Sequence, residues 1–215
     1  MQKIELSKIK DIEAGYIIVD ARPSEAFAAG FIDGSLSIPF DENFLSSFEE
    51  LTEDSQKIFL VASESQLPEL LKTIRSSVLT QIFGYLEGGF EAWQKAGNKT
   101  DLLITIDADE FAIDYKFDEF YLVDVRPKEE YGKEHIEDAE NIALIDLDAI
   151  LIEMEPEQSY YIYAGSGARA ITGASILRRN GFHRVRAVAA DFETIKASGV
   201  PVFVEKKRGD SHKDN

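Results

Sequence analysis

Apolar positions along the chain fall into two recurring patterns. Short runs rich in β-branched and aromatic residues, at 16–19, 58–61, 121–125, 160–163 and 185–188, are apolar with few breaks. Runs of that length and content read as strands of a parallel sheet, buried on both faces. Between them, 67–78 and 168–180 repeat at the helical period. In the second of these, Ile171, Ala174, Ser175 and Leu177 make an inward stripe, and Arg178 and Arg179 stand at the negative carboxyl end. Asn180-Gly181 closes that helix. Strand alternating with helix predicts an α/β fold, a mostly parallel sheet flanked by helices.

The pattern occurs twice. Residues 16–38 read YIIVDARPSEAFAAGFIDGSLSI and residues 120–142 read FYLVDVRPKEEYGKEHIEDAENI. At a constant spacing of 104, Val19, Asp20, Arg22, Pro23, Glu25, Ile32 and Ile38 meet Val123, Asp124, Arg126, Pro127, Glu129, Ile136 and Ile142. At a spacing of 102, the strand ending in Ala62 meets the one ending in Ala164, and Phe90-Glu91 and Gly97 meet Phe192-Glu193 and Gly199. Such fixed spacing marks a tandem duplication. The expected division is one domain over 1–100 and a second over 101–205, parted just after Gly97, where a helix ends. Asp107-Ala-Asp-Glu110 opens the next helix with acids at its positive end. Residues 206–215 carry no apolar side chain and read as a disordered tail.

Charge and cysteine content then narrow the function. The 215 residues hold 23 Lys plus Arg against 40 Asp plus Glu, a formal net charge of −17. A surface that acidic repels phosphate backbones and anionic lipid, so neither nucleic acid nor membrane is an expected partner. No apolar run reaches the roughly 18–20 residues of a membrane span, and the first residues lack the apolar stretch of a secretory signal, so a cytoplasmic location is expected. Cysteine is absent, which removes disulfides, thiolate metal sites and every cysteine-based covalent mechanism. The three histidines, His135, His183 and His212, lie far apart in sequence. No metal or cofactor is called for, an all-carboxylate ion site being the one arrangement left open.

The segment with the most chemical promise runs from strand to helix as Tyr163-Ala-Gly-Ser-Gly-Ala-Arg169. Small residues there let main-chain N–H groups of Ala164, Gly165, Ser166, Gly167 and Ala168 converge at a helix N-terminus, which favours an anion, although any tight turn also uses glycine. Arg169 adds a charge unless an internal carboxylate such as Asp124 takes it. Asp124 and Arg126, like Asp20 and Arg22, read as structural support for loops. The first-copy counterpart, Ala62, Ser63, Glu64, Ser65 and Gln66 before Pro68, places an acid where an anion would sit and removes an amide donor. Ser63 and Ser166 have no identifiable histidine base, which argues against a serine hydrolase. The arginines 169, 178, 179, 184 and 186 read either as a positive rim around an anion pocket or as a helix end plus a solvated strand edge. Trp93, after Gly88-Gly89, reads as a core anchor.

Taken together, the Asp-x-Arg after a strand, the His135-Ile136 segment, the 163–169 loop and Gly84-Tyr-Leu-Glu-Gly-Gly-Phe-Glu-Ala-Trp-Gln-Lys-Ala-Gly97 resemble the rhodanese superfamily, over residues 8–203. The tandem form looks most like the C-terminal pair of bacterial metallo-β-lactamase–rhodanese fusions, which handle persulfide and thiosulfate. The resemblance implies two tandem rhodanese-like domains. Active members carry Cys-x-x-Gly-x-Arg, whose cysteine becomes a persulfide cradled by loop amides. On this sequence the glycine is Gly167, the arginine Arg169, and the nucleophile position is Ala164; the first loop keeps neither cysteine nor the Gly-x-Arg pattern. The reading is a catalytically inactive rhodanese pair, a binding or scaffold module retaining a small-anion or thiol/persulfide site at 164–169. Its implied protein partner is a metallo-β-lactamase-fold persulfide dioxygenase or another sulfur-handling protein. The alternatives are a sulfurtransferase-related enzyme completed by a cysteine-bearing or metallo-hydrolase partner, and a cysteine-to-alanine variant of an active sulfurtransferase.

Overall fold

The computed structural model describes residues 2–4, 16–75 and 81–205. The expected tail at 206–215, and the last residues of the helix expected over 67–78, lie outside the described residues.

The first half runs β1 (Gln2–Ile4), β2 (Tyr16–Asp20), α1 (Ser24–Ala29), β3 (Phe31–Ile32), β4 (Leu36–Ser37), α2 (Phe44–Leu51), β5 (Lys57–Val61), α3 (Leu67–Arg75), β6 (Ile82–Leu86), α4 (Gly89–Lys95) and β7 (Thr100–Asp101). The second runs β8 (Ile104–Ile106), α5 (Ala108–Phe117), β9 (Tyr121–Asp124), α6 (Lys128–Lys133), β10 (Glu134–Ile136), β11 (Glu140–Asn141), α7 (Leu147–Ile150), β12 (Tyr160–Tyr163), α8 (Gly167–Arg179), β13 (Val185–Val188), α9 (Phe192–Ala197) and β14 (Val202–Val204). The five strand runs expected from sequence all form, and the capping signals hold. Asp107 accepts the Glu110 amide at 2.8 Å to start α5, and Gly97 and Gly181 take positive φ after their helices.

Each half builds one five-stranded sheet, ordered β1-β6-β5-β2-β4 and β8-β13-β12-β9-β11, every neighbouring pair parallel. The orders are identical once the copies are superimposed, as a duplication requires. A two-stranded antiparallel ribbon closes each half, β3 with β7 and β10 with β14. The duplicated α/β architecture expected from periodicity is what forms.

One packing choice breaks the symmetry. Helix α8 lies against its own strands β12 and β13 and also against β4 and α1 of the other half. Ser175 Oγ accepts the Ser37 amide across the boundary at 3.0 Å, and the Arg178 guanidinium pairs with Asp101. Residues 170–177 are consequently all buried, so the one-sided stripe expected for this helix is a core helix buried on two faces. Truncating one of its buried aliphatics, Ile171 or Leu177, costs about 2–5 kcal/mol on the usual scale for core cavities. The far edge of the second sheet is different: beside β11 lies a hollow of about 200 Å³ lined in part by Glu140, Glu153 and Glu155. Among the described residues no helix is long and apolar enough to cross a membrane.

Candidate functional site

Both loops leave the carboxyl end of a central strand, β5 or β12, the place where open parallel sheets bind ligands. Beneath each loop sits the same buried clamp. Asp124 accepts the Arg126 amide at 2.9 Å and its guanidinium Nη2 at 2.6 Å; Nη2 also donates to the Glu134 carbonyl at 2.8 Å. The guanidinium lies over Phe192, 3.8 Å from the ring centroid. Burial works against the Arg126 cation, but the Asp124 carboxylate outweighs it and holds the group above its ordinary pKa. Asp20, Arg22, Gly30 and Phe90 repeat the arrangement in the first half. These pairs tie strand end, ribbon and helix together.

Above the second clamp, Ala164 is fully buried at the base of the loop, Gly165, Gly167 and Ala168 are half-buried, and Ser166 and Arg169 face solvent. Ser166 caps α8, its hydroxyl accepting the Arg169 amide at 3.4 Å. Gly167 is required by close approach, because a Cβ there would stand 2.8 Å from the Ala189 carbonyl carbon. Within the described residues the N–H groups of 165–168 meet no acceptor, so four main-chain donors are left at the positive end of a 13-residue helix.

The charges around this loop decide between readings that the sequence left open. Asp124 does not take Arg169, since Arg126 already saturates it; Arg169 Nη1 instead faces Glu130 Oε1 at 3.5 Å, with both side chains about two-fifths exposed. A pair so open to water is weak. Nor do the arginines form a rim. Arg178 reaches Asp101 and the His183 carbonyl, Arg184 the Glu157 carbonyl, and Arg186 Asp114. They belong to the far end of α8 and the start of β13, roughly 18 Å from the loop at 1.5 Å per residue. Only Arg169 stays beside it.

Two openings flank the loop. Against Gly165 lies a hollow of about 400 Å³ whose wall carries Glu130, Glu134, Asp191 and Glu193 against Arg126 and Lys133. Asp191 caps α9, and the Thr194 amide it accepts holds its carboxyl below the usual range. On the other side a cleft of about 350 Å³ runs between the halves, lined by Ser166, Ala168, Arg169 and Thr172 from α8 and its cap, and by Pro39, Asp41, Asn43, Ser46, Ser47 and Glu50 from the first half. Sequence reasoning missed Glu130 and every first-half residue of the cleft. Glu130 could have been flagged, because its counterpart in the duplicated stretch is Ala26.

The first loop is built differently. Its Gln66 and Leu67 amides both donate to the Ser63 carbonyl at 3.1 Å, and the Ser63 hydroxyl donates to Gln66 Oε1 at 2.7 Å. Glu64 and Ser65 are exposed, and Pro68 occupies the first turn of α3. Gly89, at φ +59°, presses over it so closely that a Cβ would stand 2.6 Å from the Ala62 carbonyl oxygen. Among the described residues neither Ser63 nor Ser166 hydrogen-bonds a histidine; His135 is stacked on Tyr131, 3.8 Å between centroids, with Nδ1 against the Tyr131 carbonyl. Trp93 is a half-buried margin of the small Phe59–Phe90 cluster, its indole donating to the Lys99 carbonyl, rather than a central anchor.

A duplicated parallel α/β sheet, each copy ending its central strand in a short loop that opens a helix over a buried Asp–Arg clamp, defines the class. A family model for the rhodanese-like domain matches residues 5–96 and again 107–198, and the chain belongs to that family. No curated protein matches it. Among solved structures it is similar to a rhodanese-like domain from Anabaena sp., at 23% identity and a TM-score of 0.45, over 52% of this chain and 87% of that one. It is also similar to a thiosulfate sulfurtransferase from Pseudomonas aeruginosa, at 14% identity and a TM-score of 0.42. That match spans 97% of this chain and 44% of the enzyme.

Proposed function

We propose that this rhodanese pair is catalytically silent and serves as a binding or scaffold module in sulfane-sulfur handling, with a small anion seated on residues 164–169. The observation that carries the reading is the pairing of a fully buried alanine at the nucleophile position with four unpaired amides around it. An alanine methyl cannot attack sulfur, while the amides and the α8 dipole still suit sulfate, thiosulfate or the charged end of a persulfide. A few amides and one partly neutralised arginine give affinity no tighter than about millimolar, some 4 kcal/mol. A sulfur-handling protein, such as a metallo-β-lactamase-fold persulfide dioxygenase, is the partner such a module suits.

The test has three arms. Titrating the protein with sulfate or thiosulfate shifts the amide resonances of 165–168 and leaves 62–66 unmoved. The unaltered chain shows no thiosulfate–cyanide turnover. Ala164→Cys yields a thiol with a pKa below the roughly 8.5 of a free cysteine, able to accept sulfane sulfur. Turnover by the unaltered chain overturns the catalytic part of the reading; silence at 165–168 overturns the binding part.

A further inference from the structure

The two openings beside the loop are both lined by more acids than bases, but they differ in how the charges are laid out. On the Gly165 side the wall carries four carboxylates, from Glu130, Glu134, Asp191 and Glu193, against Arg126, already held by Asp124, and Lys133. Lys196 pairs with Glu134 and Glu193, and Arg169 with Glu130, which leaves a small excess of acid. An anion arriving there meets net repulsion. The cleft between the halves is different: Arg169 and the N-terminal end of α8 form one wall, and Asp41 and Glu50 stand on the facing wall, supplied by the other half of the chain. Asp41 Oδ1 accepts the Asn43 amide at 2.8 Å, and neither Asp41 nor Glu50 has a cationic partner among the described residues. The cleft's apolar lining includes Leu144 and Ile145. The cavity of about 350 Å³ falls within the size range of small-ligand sites.

A simple inorganic anion satisfies only one wall and is repelled by the other. A ligand with an anionic group at one end, a short apolar middle and an ammonium at the other satisfies both. We infer that the cleft between the two halves is a site for zwitterionic small molecules of this amino-acid-like class, the anionic end on the Ser166–Arg169 loop and the ammonium against Asp41 and Glu50. The inference rests on the loop-binding reading above and adds the second half as a partner in recognition. It also gives the first half a direct part in the site.

The test compares ω-aminoalkanesulfonates having two to four methylenes with the corresponding alkanesulfonates, with sulfate as reference, by amide-shift titration of the intact chain. For the best-fitting chain length the ammonium tightens binding at least about fivefold, and residues 41–50 shift together with 165–168. In the double variant Asp41→Asn/Glu50→Gln that advantage disappears, while the response to sulfate is retained or strengthened. Asparagine and glutamine keep the size of each side chain, and the asparagine side chain still offers an oxygen to the turn, so folding is preserved. If sulfate shifts 165–168 but the ammonium adds nothing, the cleft inference falls and the loop reading stands. If no sulfonate or sulfate shifts 165–168, both fall.

Discussion

The loops at 62–66 and 164–169 descend from one duplicated unit and rest on the same clamp, yet they differ in side-chain charge and in the use of one amide. In the first, the Ser63 carbonyl accepts the Gln66 and Leu67 N–H groups, while those of 63–65 meet no acceptor among the described residues but have the exposed Glu64 carboxylate among them. In the second, the residue corresponding to Ser63 is Gly165, and the N–H groups of 165–168 are left for something outside the chain. The two loops thus keep the same place in the fold and differ in one redirected main-chain donor, at Gln66, and in the acid at Glu64. The clamp below is indifferent to the change, because it holds strand, ribbon and helix rather than ligand.

The largest effect tests that indifference. Asp124→Ala leaves the buried Arg126 guanidinium without its carboxylate and should destabilise by about 3–5 kcal/mol in urea unfolding. Asp20→Ala should cost a similar amount. A large loss in one half and little in the other would break the equivalence of the clamps. A middle-sized effect separates the loops themselves. Gly167→Ala forces a methyl against the Ala189 backbone, costing about 1–3 kcal/mol and abolishing the sulfate response. Its counterpart at a spacing of 102 is Ser65, which is exposed, so Ser65→Ala should stay within about 0.5 kcal/mol. The smallest effect belongs to the α9 cap. The folded Asp191 carboxyl titrates below its ordinary value, so its support for the helix is complete above the unfolded pKa and fades as pH falls through the folded one. Carboxyl titration by NMR should show the depressed value, with faster exchange of the Thr194 amide on the acid side; a carboxyl titrating at the ordinary value would show the cap idle.

Much of the fold is legible in the sequence because duplication doubles the signal: the spacing of 104 locates both clamps, and two of the strand runs appear in each copy. The family follows from residues such as Gly167 and Arg169 standing at fixed distances from the strand. What cannot be read is who partners whom. Nearness to the loop points Arg169 at Asp124, whereas Arg126, two residues from that carboxylate, reaches it first. Arg178 to Arg186 follow Arg169 closely in sequence, but a helix carries them to the opposite end of the sheet. The double burial of α8 is hidden because its second face is covered by β4, more than a hundred residues earlier in the chain. The cleft residues 39–50 carry no motif and acquire meaning only when the other half is set against them.

The coverage of β4 has one further consequence, for self-association. A strand at a sheet margin offers free main-chain donors and acceptors to any similar strand it meets, and a protein with two sheets has more margins to defend. The first sheet shields the β4 margin physically, by laying α8 of the second half against it. The corresponding margin of the second sheet, β11, has instead the carboxylates of Glu140, Glu153 and Glu155 gathered beside it, so another copy of this acidic chain meets like charge there. After duplication the same exposed margin was thus silenced in two ways, by occlusion in one half and by repulsion in the other.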